Sequence, residues 1–283
     1  AFGKWAARHV KSRAGTLFAT FVLGVLIFID DYFNCLTVGS VMRPLTDNQK
    51  VSRAKLAYII DATAAPVCMI APVSSWAAAV SGVAEKLDSG ISGIQLFIQA
   101  IPFNFYSLLT FVFVIGMIVM GFDYGPMAKS ELEALKGNLG SLGNDEEVES
   151  TKATLWDMLI PIIVLIIMCI IGLMYVGGFW DPESGVAGDS ACLAGAVCGD
   201  HCSPISDTTI MASAGANCNH IEHVQTQLPY AVTVALISFV NFIIAGFVKN
   251  AWICLPIGIV MTIVVLFILR ATVGKRTSVA AEK

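Results

Sequence analysis

Charged residues are scarce in this sequence, and their scarcity excludes an ordinary soluble domain. Only 13% of the 283 residues are charged and 56% are hydrophobic, whereas soluble domains have about 25% and about 45–50% respectively. Uncharged runs occupy 14–29, 62–84, 89–122, 158–180, 224–248 and 250–269, and five of these six exceed the ~18 residues of a transmembrane candidate. The runs do not alternate in polarity, and a backbone in lipid must satisfy its own hydrogen bonds. We therefore predict an all-α, polytopic transmembrane helical bundle, whose first partner is the lipid bilayer.

Features of several other protein classes are also missing. Basic residues precede 14–29 as in a signal peptide, but the acidic sequence that starts at Asp30 is not a cleavage site. The basic residues flank the apolar runs instead of clustering on one element, so we expect no nucleic-acid partner. Half of the eight cysteines lie in apolar runs, where cysteine acts as a small hydrophobe. We predict no disulfides.

The distribution of Lys and Arg predicts the orientation in the membrane. Three basic segments are placed in the cytoplasm: 1–13, 43–55 and the tail from Arg270. The segment 177–189 has three acidic residues and no basic ones, which places it outside. Because 14–42 is basic at both flanks, it is expected to enter and leave on one side, as a re-entrant hairpin or a helix broken near Asp30.

The remaining apolar runs are then assigned as crossings. These are 56–82, 94–121, 156–176, 190–214, 228–248 and 251–269. The segment 123–154 is expected to be a cytoplasmic, solvated linker between a first membrane half, 1–122, and a second, 155–283. The whole chain, 1–283, is predicted to be one transporter domain.

Polar residues gather at three places within or beside the apolar runs. In chain order they are Asp30, Asp31, Asn34 and Thr37; Asp61 and Thr63, with Pro66 and Pro72; and Asp200, His201, Pro204, Ser206, Asp207, Thr208 and Thr209, with His220 and His223. An ionisable group in a bilayer costs at least ~2.5–3.5 kcal/mol and is seldom kept without a function. The prolines interrupt helices, and a broken helix exposes carbonyls that can line a cavity. Such oxygen atoms favour a hard cation.

Structural alternatives exist for each group. Asp30 and Asp31 also fit a helix cap, and Asp61 fits an interfacial position as well as a buried one. The histidines are candidate pH sensors, although His220 and His223 equally fit capping roles. The spacings Cys-x₃-Cys and His-x₂-His in this region match no standard zinc pattern.

Three long strings resemble a known family. They are GDHCSPISDTTIMASAGANCNHIEHVQTQLPYA from Gly199, FIDDYFNCLTVGSVMRPLTD from Phe28, and KLAYIIDATAAPVCMIAPVSSW from Lys55. All three resemble NhaC-type sodium/proton antiporters, and a looser resemblance covers nearly the whole chain. It implies an exchanger of sodium ions and protons in a bacterial or archaeal cytoplasmic membrane, driven by ion gradients and without a cofactor. Family members carry further segments before Ala1 and after Glu183, so we expect a truncated, internally shortened member that is inactive alone.

The same residues suggest a mechanism. A carboxylate in a low-dielectric site can hold a proton or a sodium ion, but not both, so alternating access would exchange them. We predict Asp207 as this residue, with Asp31 and Asp200 next. Neutral sodium-binding oxygens are assigned to Ser206, Thr208 and Asn34, and Thr209 flanks them. Exchange of an organic solute for the same ions is the alternative, an enzyme is not expected, and the sequence is compatible with a homo-oligomer.

A weak internal similarity links two of the polar groups. Aligning Asp31 with Asp200 also aligns Thr37 with Ser206 and Met42 with Met211. Duplicated halves with opposed broken helices are a common transporter plan, although chance explains the match equally well. A true repeat would bring both groups to one site in the membrane.

Overall fold

The computed structural model describes residues 12–86, 92–140 and 186–276. The described ranges form the helices α1 Arg13–Leu26, α2 Asp31–Asn48, α3 Arg53–Ala62, α4 Ala65–Cys68, α5 Ser75–Lys86, α6 Gly93–Ala100, a 3₁₀ turn Ile101–Phe103, α7 Phe105–Met120, α8 Gly125–Leu135, α9 Val186–Cys202, α10 Asp207–Ala216, α11 His220–Val248 and α12 Ala251–Thr272. Two short strands, β1 Phe122–Asp123 and β2 Lys275–Arg276, pair antiparallel. The predicted crossing 156–176 lies outside the described residues.

Within the part of the chain that the structure describes, two helices are long and apolar enough to cross a membrane unaided. α11 has 29 residues and a mean hydropathy of 2.4, and α12 has 22 residues and a mean hydropathy of 2.8. A third span forms if Gly93–Phe103 and Phe105–Met120, which meet at a 44° bend, are counted as one. Large apolar side chains such as Phe247 and Trp252 are exposed on α11 and α12, as expected for helices in lipid. The prediction of an all-α transmembrane protein is confirmed.

The segment that begins at Arg13 turns back on itself, in agreement with the predicted hairpin. α1 ends at Leu26, and α2 begins at Asp31. The start of α1 and the N-cap of α3, which follows α2 after a short turn, reach one side chain, because Glu131 binds the Arg13 guanidinium and accepts a hydrogen bond from Ser52 N at 2.8 Å. The 27–30 turn is therefore the tip of the hairpin, and Glu131 marks its base.

Several other chain segments meet at the Glu131 end of the bundle. Arg53, at the start of α3, donates from its backbone N to Leu139 O at 2.9 Å and from Nη1 to Ala216 O at 2.8 Å. Glu222, at the start of α11, accepts from Ser130 on α8 at 2.7 Å. β2, beyond α12, pairs with β1, beyond α7. These contacts bring the described parts of the predicted basic segments to one end.

Helix α8 corrects the expectation that 123–154 is a solvated connector. Its residues Met127, Ala128, Glu131 and Ala134 are buried, with spacings of one helical turn that form one face. That face packs on α3 and α11. In the described part of this segment, α8 therefore packs against the base of the bundle with one buried face.

Two predicted crossings are interrupted in the middle. The run 56–82 is divided into α3, α4 and α5, with Pro66 in the first turn of α4 and Pro72 in the exposed turn before α5. The run 190–214 is divided into α9 and α10, with Pro204 between them. Proline lacks an N–H and clashes with the preceding turn, so the prolines fall where the helices break, as predicted.

Helices α2 and α10 pack unusually closely. A Cβ on Gly39 would lie 2.4 Å from the carbonyl carbon of Gly215, and one on Gly215 would lie 2.5 Å from Cys35 O. Nearer the helix starts, Cys35 Sγ lies 3.7 Å from Thr208 O. The contacts advance in the same direction along both helices, so α2 and α10 are parallel and begin at the same level.

Candidate ion-binding site

The helix breaks converge on one region at the hairpin tip. Asn34, in the first turn of α2, donates hydrogen bonds from Nδ2 to Gly24 O at 2.7 Å, Ile27 O at 2.8 Å and Thr63 O at 2.9 Å. It thereby ties the end of α1 and the end of α3 to α2. Its Oδ1 is buried and has no hydrogen-bond partner. Asn34, predicted as a neutral sodium ligand, here connects α1, α2 and α3 by hydrogen bonds at their ends.

The two acidic residues at the start of α2 have different environments. Asp30 is the N-cap, and its Oδ1 accepts from Phe33 N at 2.8 Å, so the capping alternative is correct for this residue. Asp31 is 5% exposed, and its Oδ2 accepts from Trp76 Nε1 at 2.7 Å. Asp31 thus joins the hairpin tip to the start of α5.

Asp200 has the most complete set of oxygen neighbours in the region. It lies in the last turn of α9, where Oδ1 accepts from Ser206 Oγ at 2.6 Å and Oδ2 accepts from Thr208 Oγ1 at 2.8 Å. The two hydroxyls are 2.9 Å apart. Thr209 Oγ1 also donates to Asp200 O at 3.2 Å. We call Asp200, Ser206 and Thr208 the hydroxyl cluster.

Asp207 lies beside this cluster but is more exposed. It begins α10, its Oδ1 accepts from Thr208 N at 2.9 Å, and its Oδ2 is bound by the Tyr32 hydroxyl. The hydroxyls of Ser206 and Thr208, expected around Asp207, bind Asp200 instead. The structure brings Asp31, Asp200 and Asp207 to one region, and it gives the hydroxyls to Asp200.

Asp61 is fully buried, so its interfacial alternative is not supported. Its side chain is 0% exposed, and Oδ2 lies 3.2 Å from Nε2 of His223, which is also 0% exposed. The partner residue is on α11, 162 positions along the chain. Asp61 also interacts electrostatically with Asp200. The second and third polar groups of the sequence therefore meet inside the bundle.

The other two histidines have separate partners. His201 is buried, and its Nδ1 lies 2.8 Å from the Tyr106 hydroxyl. His220 lies at the start of α11, with Nδ1 3.2 Å from Ser213 Oγ and Nε2 2.7 Å from Pro204 O. His220 thus fixes the loop between α9 and α10, and only His201 and His223 reach the interior.

Two predicted threonines contribute little to the cluster. Thr37 is half-buried farther along α2, where its carbonyl accepts from Ser40 Oγ at 3.0 Å. Thr63 is buried, and its hydroxyl donates to Ile59 O at 2.8 Å, while its carbonyl holds Asn34. Thr63 shapes the break after α3 through its backbone.

Sequence reasoning missed several residues that the structure brings to the site. Tyr32 and Trp76 hold Asp207 and Asp31, Tyr106 holds His201, and Gln227 donates from Nε2 to His201 O at 2.8 Å. Aromatic and amide residues of this kind are common in apolar runs. Their position beside motif residues, as for Tyr32, is the only sequence signal available.

The chemistry of the site favours a hard cation over a transition metal. Within 12–86, 92–140 and 186–276, no group of three His, Cys, Asp or Glu side chains is arranged to hold a metal ion. The six cysteines among the described side chains are free thiols. The hydroxyl cluster supplies carboxylate and hydroxyl oxygens, which suit sodium.

The structure changes the register of the internal similarity. Asp31 and Asp207 each begin a helix after an extended cap residue, whereas Asp200 lies inside α9. Gly39 and Gly215, eight residues later in each helix, touch. By its place in the fold Asp31 corresponds to Asp207, which lies seven residues after the Asp200 of the sequence alignment.

Comparison with known proteins agrees with this architecture. The sequence model of the Na+/H+ antiporter family matches residues 67–180 and 189–247. An uncharacterized protein of Haemophilus influenzae is 30% identical over 407 aligned positions, which cover 94% of this chain and 78% of the relative. The alignment is longer than the chain, in keeping with an internally shortened member. No solved structure matches the chain. The chain belongs to the Na+/H+ antiporter family.

Proposed function

We propose that this protein exchanges sodium ions for protons and that sodium binds at the hydroxyl cluster of Asp200, Ser206 and Thr208. The observation that carries the proposal is the pair of hydroxyls, each within 2.8 Å of one Asp200 oxygen, at the break between α9 and α10. In the described structure both hydroxyls donate to the carboxylate. A hydroxyl also has lone pairs, so rotation of its proton turns each one from a donor to Asp200 into a ligand for sodium.

The surrounding helix ends support a cation at Asp200. Asp200 lies in the last turn of α9, where the backbone carbonyls give the helix end a partial negative charge. Asp31 and Asp207 instead lie at helix starts, whose partial positive charge disfavours a cation. A sodium ion is therefore stabilised more by the helix end at Asp200 than by the helix starts at Asp31 and Asp207. The carboxylates of Asp31 and Asp207 add negative charge nearby.

Proton exchange follows from competition for the carboxylate. A carboxylate withdrawn from water binds a proton more readily than one in water, while a bound cation favours the ionised form. Asp200 would then hold either ion, and opening to the two sides of the membrane in turn would exchange them. The expected membrane is the cytoplasmic membrane of a bacterium or archaeon.

The buried cations do not favour an anionic organic solute. Lys55 is buried, and its ammonium binds Asp123, which also accepts from the Tyr230 hydroxyl at 2.7 Å. Arg53 binds Asp47 and Ala216 O. Both cations are engaged by protein groups at the Glu131 end of the bundle.

Sodium binding to the purified protein in lipid nanodiscs, measured by calorimetry, tests the assignment. Binding does not require a complete transport cycle. Asp200→Asn keeps the shape but removes the charge, so it should abolish sodium binding. Asp207→Asn should weaken it less, and the exposed Glu133→Gln should leave it unchanged. Loss of binding in Asp207→Asn with retention in Asp200→Asn would restore Asp207 as the sodium carboxylate.

A further inference from the structure

A carboxylate and an imidazole are sealed together between α3 and α11. Asp61 Oδ2 and His223 Nε2 are 3.2 Å apart, and both side chains are 0% exposed. Each also has a second polar atom, Asp61 Oδ1 and His223 Nδ1, that is buried without a hydrogen-bond partner. Buried polar atoms are nearly always paired, so unpaired atoms on both members of one pair require an explanation.

Two further unpaired atoms lie in the same region. Gln227 is one turn after His223 on α11, and its Nε2 donates to His201 O at 2.8 Å. Gln227 Oε1 and His201 Nε2 are buried without partners. The interior between α3, α9 and α11 thus holds four polar atoms that are able to exchange a proton or bind a water molecule.

The charges around Asp61 are few. The titratable groups that interact with it electrostatically, apart from His223, are Cys35 on α2, Tyr58 on α3, and Asp200, His201 and Cys202 on α9. Two charged groups on other helices packed against α3 are bound elsewhere: Arg13 of α1 binds Glu131, and Asp207 of α10 binds Tyr32. Tyr106 of α7 binds His201. Among these described groups, Asp200 is the one carboxylate that interacts electrostatically with Asp61.

We propose that Asp61 and His223 form a second proton-binding site, separate from the sodium site, and that sodium binding at Asp200 expels its proton. The proposal rests on the proposed function. When the pair holds one proton more than a neutral imidazole and an ionised carboxylate, it is neutral overall, and when it has lost that proton it carries one negative charge. Burial favours the neutral pair. A sodium ion at Asp200 adds a positive charge nearby and so favours loss of the proton to bulk water, through the unpaired atoms.

Linkage between sodium and protons tests the second site. If sodium competes with a proton at Asp200 alone, its affinity rises by at most about ten-fold per pH unit. With a second coupled site, the steepest part of the wild-type curve should exceed ten-fold per unit. The His223→Gln and Asp61→Asn variants should still bind sodium, but their affinity should change by ten-fold or less per pH unit. The Glu133→Gln variant should keep the wild-type slope. The measurement is calorimetry in nanodiscs at half-unit steps of pH.

Three results would overturn the proposal. They are a wild-type slope that never exceeds ten-fold, variants that keep the wild-type slope, and folded variants that bind no sodium, because Asp61 would then belong to the sodium site. Thermal melting identifies misfolded variants, and Asp61→Glu, which keeps the charge, replaces Asp61→Asn if that protein does not fold.

A second readout does not depend on sodium. Nuclear magnetic resonance of ¹⁵N-histidine-labelled protein, which has four histidines, assigns the His223 signal by its loss in His223→Gln. That signal should titrate in the wild type, and Asp61→Asn should shift its midpoint. An unshifted midpoint would refute the proton pair. If the wild type binds no sodium while the midpoint shifts, the proposed function fails and the proton pair stands.

Discussion

Replacing Gly39 with alanine should force α2 and α10 apart and disturb the site that they build. The added Cβ would lie 2.4–2.7 Å from the carbonyl carbon, oxygen and Cα of Gly215. These are backbone atoms, so no side-chain rotation relieves the contact. Ordinary contact begins at 3.4 Å, and the helices must therefore separate by about 1 Å.

The expected effect is a loss of stability relative to a matched glycine variant. Overpacking in a well-packed core costs ~1–3 kcal/mol, while alanine gains ~1 kcal/mol over glycine in a helix interior. Gly82→Ala, on α5, is the control, because its Cβ would meet nothing within 4 Å. The propensity gain is common to both variants, so Gly39→Ala should be less stable than Gly82→Ala by ~1–3 kcal/mol.

Thermal unfolding in detergent measures this difference, and sodium calorimetry measures its effect on the site. The sodium affinity of Gly39→Ala should fall, because α10 carries Thr208 of the hydroxyl cluster. A Gly39→Ala protein that melts at or above the temperature of Gly82→Ala would refute the close α2–α10 contact.

Two further predictions concern the Glu131 end of the bundle. Burial raises the pKa of Glu131 above its ordinary value of 4.5. Between pH 4.5 and the raised pKa, the folded state therefore binds more protons than the unfolded state, and the free energy of unfolding should fall as the pH rises through this range. Glu131→Gln should flatten this slope in thermal melts, Glu133→Gln should not, and equal slopes in both variants would contradict it. Helix α11 carries the chain from the Glu131 end of the bundle to Lys249. A thiol reagent that cannot cross the membrane should therefore label Lys50→Cys and Lys249→Cys from opposite sides, with Lys50→Cys labelled only from the inside. Labelling of both variants from one side would refute this topology.

Local pattern was enough to predict the helices and their breaks. Lipid requires long uncharged helices, so composition revealed α11 and α12. Proline lacks a backbone N–H, so Pro66 and Pro204 marked interruptions, whereas Pro44, Pro229 and Pro256 lie inside continuous helices. Local pattern was not enough for α8, which lies in the segment predicted to be a solvated connector. Glu131 is charged yet buried, and that burial is made tolerable by partners distant in the chain, Arg13 at 118 positions and the backbone N–H of Ser52 at 79.

The sequence by itself determined the class of protein and the set of candidate residues, because hydropathy and motif are properties of neighbouring positions. Tertiary structure alone decided how those residues pair. Asp61 meets His223 across 162 positions, and the fold aligns Asp31 with Asp207 at the starts of two parallel helices. Ser206 and Thr208 flank Asp207 in the chain but donate to Asp200, because the turn after α9 directs both hydroxyls toward the end of that helix. Such pairings depend on helix packing, which no local pattern encodes.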